Sequence, residues 1–306
     1  PVERLIVENG KVRGVKLADG EIRADRVVIA GGMWSREFAA QSGVSLPLHA
    51  PEHFYIVTEQ MPDLPRELPV LFVADECSYY KEDAGKLLLG CFEPEAKPWG
   101  HNGIPEDFCF DSLPEDFDHF EPILDMAVKR VPALANAGIQ LFFNGPESFT
   151  PDDRYLLGET PEVEGLFCAC GFNSVGILSS GGVGKALADW INDGHPPMEL
   201  ADVDVRRMHS WQSNKSYLFD RTKETLGLLY KMHWPYQQYE TARNVRQSPF
   251  HDRLDFTVNR LEQLGFQSKD SCPFGLLEGV EFGLDFQDLL LEFDRLGAAL
   301  HDVGRL

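Results

Sequence analysis

The sequence predicts an α/β domain interrupted by an antiparallel-sheet, α+β domain, and three observations carry that reading. Two continuous apolar runs, Arg26 to Ala30 and Leu166 to Cys170, each end in glycine, as strands buried on both faces of an α/β sheet do. Between them lie about a hundred residues in which short alternating runs follow one another with a single helical stretch. The α/β pattern then resumes, so residues 1–45 and 146–200 are read as one domain and 46–145 as the insertion.

Taken in order, Leu5 and Val7 alternate, Asn9-Gly10 signals a hairpin turn, and Val12, Val15 and Leu17 alternate again. Asp19-Gly20 marks a second turn before the buried run Arg26–Ala30. Gly31-Gly32 stops that run, and the stretch after Trp34 reads as a short helix closed by Gly43. In the insertion, FYIVTE, PVLFVA, CSYYKE, KLLLGCF and IQLFFNG read as strands. The stretch from Glu115 to Arg130 reads as an amphipathic helix, with Phe117, Phe120, Ile123, Leu124 and Val128 near helical spacing. Gly165–Gly171 is a buried strand, and Gly181–Asn192 a helix closed by Asp193-Gly194. Residues 201–254 read as helical and rich in arginine and aromatics, whereas 255–306 hold apolar clusters without an interpretable motif.

With 306 residues the chain can bury two real cores. A net charge of −21 would repel phosphate backbones, which argues against nucleic-acid partners. No apolar run is long enough to span a bilayer, and the start carries no export signal. The six cysteines form no CxxC pair and fit small buried thiols in a reducing compartment, not a disulfide frame or a metal site. The aromatic run Tyr230–Glu240 lacks a basic surround and reads as packing between domains rather than a stacking platform.

Two glycine segments could carry chemistry. In Cys170–Lys185 a buried strand runs into a glycine-rich loop that feeds a helix, where free N–H groups and the helix dipole favour negative charge. Arg26–Ser35 ends a strand in Ala-Gly-Gly at the carboxyl edge, where α/β sheets bind ligands. On spacing alone, each is equally well an ordinary strand-to-helix turn or a crossing that needs small residues.

Together these segments resemble a known family. VVIAGGMWS is similar to the second FAD-contacting motif of the D-amino-acid-oxidase-like flavoproteins, and CGFNSVGILSSGGVGKALADWI to their flavin-ring motif. Asn144–Phe167 resembles the dimethylglycine and sarcosine dehydrogenases, as do Asp204–His209 and Ala242–Leu254, their linker into a central domain. The likeness runs from Val2 to about Leu254. It implies a partial glutathione-reductase-like FAD domain interleaved with an antiparallel substrate domain. It also implies oxidative demethylation of an N-methyl amino acid by hydride transfer to FAD, the electrons passing to oxygen or to an acceptor protein. The FAD contacts it implies are Val2, Ala30, Gly31, Gly32, Trp34, Gly171, Phe172, Asn173, Gly176 and Ile177. A cytoplasmic or mitochondrial-matrix setting fits that chemistry.

The resemblance also sets out departures. The family's pyrophosphate-binding GxGxxG loop, its ribose-binding acid, its flavin-linking histidine and its tetrahydrofolate domain have no counterpart here, so the chain reads as a fragment of the parent enzyme. Leu178 stands where simple sarcosine oxidases carry a lysine, which favours the dehydrogenase branch. For catalysis, His53 matches the family's H-x-Y-x-V-T pattern and titrates in the range a base for the substrate amine needs. Tyr79-Tyr80 matches a Tyr-Tyr segment, with Tyr80 taken as the hydrogen-bonding phenol. Lys81, Lys97 and Arg154 are all open as the partner of a substrate carboxylate. The rival readings are a non-catalytic relative, such as a regulatory subunit, and an inactive truncated frame.

Overall fold

The computed structural model describes residues 1–231 and 239–243. The apolar tail after Asp255, Cys272, Trp234 and the end of the family linker lie outside them.

The first ninety residues already show how alternation becomes architecture. Strands β1 (Val2–Glu8), β2 (Lys11–Leu17) and β3 (Gly20–Arg23) form a three-stranded antiparallel meander. Its first turn places Asn9 and Gly10 at positive φ, as a tight hairpin requires. Strand β4 (Val27–Ile29) leaves this sheet and ends before Ala30 and α1 (Ser35–Ala40); with Val28 exposed it is not buried on both faces as its apolar run suggests. Then come β5 (Ala50–Thr58), β6 (Leu71–Val73), β7 (Ser78–Asp83), β8 (Lys86–Cys91) and β9 (Pro98–Trp99). Helix α2 (Phe117–Arg130) and β10 (Ile139–Pro146) close this stretch. Last come β11 (Leu156–Glu159), β12 (Leu166–Cys170), α3 (Gly176–Asp193) and α4 (Lys215–Tyr230).

The middle strands make one antiparallel sheet in the order β10-β5-β8-β7-β6, with β9 beside the start of β5. Helix α2 lies on one face. Phe120, Ile123 and Ala127 come from one side of the helix and pack with Phe54, Ile56, Tyr80 and Leu89 from the sheet. Phe120 is fully buried, which stabilises the fold by about 2–3 kcal/mol relative to exposure. Asp116 caps α2 by accepting the His119 N–H at 3.1 Å, so the helix starts two residues after the sequence suggests.

The flanking segments meet in a third sheet, β11-β12-β4. Strand β12 is sandwiched: Leu166, Cys168 and Cys170 point into one core and Phe167 into another, against Trp190 of α3. This explains its continuous apolar text. Strand β4 runs parallel to β12, with Val27 opposite Leu166 and Ile29 opposite Cys168. The two glycine segments, more than 130 residues apart, therefore leave the same edge of the same sheet side by side. Helix α3 begins at Gly176 rather than Gly181 and continues through three glycines.

Candidate active site

Strand pairing decides which side chains can meet. In the six-stranded sheet Phe143 lies opposite Tyr55, Tyr55 opposite Gly90, and Gly90 opposite Tyr79. One residue along, Phe142, Ile56, Leu89 and Tyr80 form the next row. Side chains alternate between faces, so the second row faces α2 and the first faces away. His53, opposite Gly145, shares the face of Tyr55 and Tyr79. Gly90 is needed there: a Cβ would lie 2.0 Å from the Tyr79 ring, which is laid across it.

This placement revises one expectation. Tyr80 is 3% exposed in the core under α2, and its hydroxyl accepts from Ser78 Oγ at 3.2 Å. Tyr79 is the member of the pair on the face of His53. Burial, with Cys91, Tyr230 and Glu147 nearby, pushes its phenol up to about 12, so it stays a hydrogen-bond donor. Tyr79 stacks on Phe92, and Phe92 stacks on Tyr230 at 4.0 Å between centroids. Tyr55 stacks on Phe143 at 4.9 Å.

His53 is held by a carboxylate that sequence reasoning did not single out. Its Nδ1 lies 2.9 Å from Glu93 Oε2, and the Glu93 side chain is fully buried. Glu93 Oε1 accepts the Phe54 N–H at 2.9 Å and the Cys91 thiol at 3.3 Å. An ionised carboxylate only accepts, so the imidazole carries its proton on Nδ1 and turns Nε2 away from Glu93. Burial by itself lowers the His53 pKa, but the charge and hydrogen bond of Glu93 and the charge of Glu147 outweigh it and hold it above the ordinary value. Cys91, buried beside the same carboxylate, is kept as a thiol. The other histidine at this strand start, His49, is 3% exposed, bonds its Nδ1 to Ala50 O at 3.0 Å, and packs near His101 and Phe219.

The glycine loop abuts this face. Asn173 N–H donates to Ser148 O at 3.1 Å, and the Asn173 side chain accepts from Thr150 N at 2.8 Å and donates to Gly171 O at 2.9 Å. Asn173 therefore braces the loop, at φ +48°, and its amide is used up within the protein. Gly171 answers a packing need: a Cβ there would meet Leu48 and Thr150 at 2.5 and 2.7 Å. Phe172 stacks on Tyr155. Beyond them the surface opens. Ile177 is 97% exposed, and nothing lies within 4 Å of a Cβ at Gly181, Gly182 or Gly184. The first helical bond of α3 runs from Ser179 N to Val175 O, leaving the Gly176, Ile177 and Leu178 N–H groups without helical partners. A helix start with a Cβ-free open face suits a flat ligand that gains negative charge. Gly31, Gly32 and Trp34 emerge beside it, exposed, from the end of β4. Val2 stands apart from that edge, in the β1–β3 meander.

Of the three cations weighed for a substrate carboxylate, Lys97 pairs with Asp116, and Arg154 is exposed in the loop before β11. Lys81 follows Tyr79 on the same face, opposite Leu88. A separate cavity of about 610 Å³, lined by Cys77, Lys97, His119, Ile123, Met126 and Lys223 among others, contains none of the His53 group. Among the described residues no His, Cys, Asp and Glu cluster has the makings of a metal site. No described helix is long and apolar enough to cross a membrane.

The chain matches known proteins along most of its length. The family model described as FAD dependent oxidoreductase matches residues 1–190, and the one described as FAD dependent oxidoreductase central domain matches 193–248. A 4-methylaminobutanoate oxidase (formaldehyde-forming) of Paenarthrobacter nicotinovorans is 45% identical over 83% of this chain and 31% of its own length. The mitochondrial pyruvate dehydrogenase phosphatase regulatory subunit of Mus musculus is 36% identical, over 87% of this chain and 31% of its own. The mitochondrial sarcosine dehydrogenase of Homo sapiens is 34% identical, over 80% and 26%. The chain thus spans between about a quarter and a third of the length of these relatives. Among solved structures, the glycine oxidase of Geobacillus kaustophilus superposes with a TM-score of 0.55 at 25% identity, covering 68% of this chain and 52% of the other.

Proposed function

The chain belongs to the FAD-dependent oxidoreductases, and on that premise we propose that it serves the oxidative demethylation of N-methyl amino acids, with His53 as base and Tyr79 as hydrogen-bond donor. The observation that carries this reading is the buried Glu93–His53 pair on the sheet face that adjoins the glycine loop. Bound FAD would supply the acceptor for the hydride that leaves the N-methyl carbon.

The rest of the chemistry belongs to this chain. An amine is a hydride donor only with its nitrogen lone pair free, so a proton must first leave the ammonium. His53 Nε2 takes that proton, and the Glu93 carboxylate stabilises the imidazolium, as the buried acid does in a catalytic triad. Loss of proton and hydride leaves an iminium ion, which water converts to formaldehyde and the demethylated amine. Tyr79, held protonated, donates to the substrate, and Lys81 is positioned on the same face to meet a carboxylate. The Gly176–Leu178 N–H groups and the open face of α3 are the residues that would hold the ring. Residues 1–45 with 146–200, and 46–145, act in this reading as cofactor and substrate domains.

The test is formaldehyde release from 4-methylaminobutanoate, sarcosine and dimethylglycine by the protein supplied with FAD, alongside its visible spectrum, with oxygen and with an artificial electron acceptor. Turnover of at least one substrate, lost in His53→Ala, is the expected result. The relative that is a regulatory subunit motivates a second reading, in which the same face is non-catalytic. A flavin retained without turnover of any N-methyl amine would favour it.

A further inference from the structure

One charged atom on the His53 face has no hydrogen-bond partner among the described residues, and it has the sign that an amine substrate would seek. Glu147 follows Gly145, the residue opposite His53, by two positions, and its N–H donates to Pro51 O at 3.1 Å. The strand alternation therefore carries its side chain to the face of His53, Tyr55 and Tyr79. Its charge is felt by His53, Tyr79 and Tyr230 alike. Yet Glu147 Oε2 is shut off from solvent and makes no hydrogen bond among the described residues. Glu93, two residues past the end of β8, is fully engaged by Phe54, His53 and Cys91. A buried carboxylate oxygen left unpaired costs free energy that a ligand can recover.

The surroundings specify the ligand. The Tyr79–Phe92–Tyr230 stack and the Tyr55–Phe143 stack border the same face, and aromatic faces attract alkylated ammonium groups. We propose that Glu147 receives the methylammonium group of the substrate, setting its positive charge between the Glu147 carboxylate and the aromatic stacks. Within the demethylation reading this makes Glu147 a binding residue that selects cationic amines, with Glu93 left to position His53. A neutral carbon isostere of the same shape gains nothing from Glu147 and leaves its oxygen unpaired.

The proposal is tested by binding, which needs no electron transfer and so stands apart from the fate of the oxidation reading. Trimethylammonioacetate and its uncharged isostere 3,3-dimethylbutanoate share a carboxylate and a shape and differ only in charge. Their dissociation constants are measured by calorimetry on the 306-residue chain with FAD added. The unsubstituted chain should prefer the ammonium ligand by about tenfold or more, the scale of one desolvated cation–π or ionic contact. Glu147→Gln, of the same size, should abolish the preference, and Glu147→Asp should keep part of it, with thermal melts confirming that both variants fold. Equal binding of the two ligands, binding of neither, or a preference that survives Glu147→Gln overturns the assignment.

Discussion

The two faces of the six-stranded sheet are built by the same strands, a residue apart. Phe142, Ile56, Leu89 and Tyr80 turn to α2 and form a dry core, in which Ser78 and Tyr80 satisfy each other at 3.2 Å. Phe143, Tyr55, Gly90 and Tyr79 turn the other way, joined by His53 and Glu147, and there a glycine makes room for a ring and a carboxylate oxygen finds no hydrogen bond among the described residues. The difference teaches that stability and chemistry are assigned by register. A slip of one residue would exchange Tyr79 with Tyr80 and bury His53 under a helix.

Substitutions that act on one face only would sharpen this division, and His53→Ala should have the largest effect. Loss of the base should slow oxidation of an N-methyl amine by about a thousandfold at saturating substrate, the middle of the range for general-base catalysis. The unfolding midpoint should barely move. A rate within a few-fold of the unsubstituted protein would remove His53 from the mechanism. The mirror experiment is Phe120→Ala on the other face, which should cost about 3–5 kcal/mol in denaturant titration while each folded molecule keeps its rate. Equal damage to stability and rate by either substitution would break the separation.

A smaller effect tests how the faces are joined. Phe54 belongs to the core and His53 to the site, and Glu93 ties the Phe54 N–H to the His53 ring at 2.9 Å each. His53 must be unprotonated to take a proton, so the rate should rise with pH through its folded pKa, which Glu93 and Glu147 hold above 6.5. Glu93→Gln should move that limb to lower pH and reduce the plateau rate by about tenfold, because a weaker base is left. The linkage has a definite sign. A raised histidine pKa gives stability that is fully present below 6.5 and lost as pH rises through the folded value. That loss above 6.5 should vanish in Glu93→Gln, and an unshifted limb would show that Glu93 does not position His53.

Much of this was legible in local sequence, and what was not shares one cause. The hairpin at Asn9-Gly10, the buried strand β12 and the helix α2 follow from turn residues and periodicity within a dozen residues, whereas the apolar run of β4 lies on a sheet edge with Val28 exposed. The glycine segments were readable as a pair only through their likeness to a family, because their adjacency rests on the parallel pairing of β4 with β12. Tyr79 and Tyr80 are neighbours with the same side chain, so only the pairing with Gly90 and Leu89 separates them. Glu93 and Glu147 follow strands as ordinary polar residues would, and nothing local marks one as buried and the other as unpaired. Even the glycines divide on non-local grounds: Gly171 is fixed by Leu48 and Thr150, and Gly181 by nothing within 4 Å.

The smallest expected effects decide between the two tyrosines. Removing the Tyr80 hydroxyl as Tyr80→Phe breaks its bond with Ser78 and should cost about 1 kcal/mol of stability, with the oxidation rate unchanged. Tyr79→Phe keeps the ring across Gly90 and the stack on Phe92, so the fold should hold within about 0.5 kcal/mol. Its cost should appear in the rate, a few-fold to about tenfold, as one donor to the substrate is lost. The pair of measurements has a built-in control, because the same atom is deleted from adjacent residues of one strand. If Tyr80→Phe slowed oxidation and Tyr79→Phe did not, the face turned toward α2 would be the reactive one, and the assignment of His53 and Glu147 to the site would fall with it.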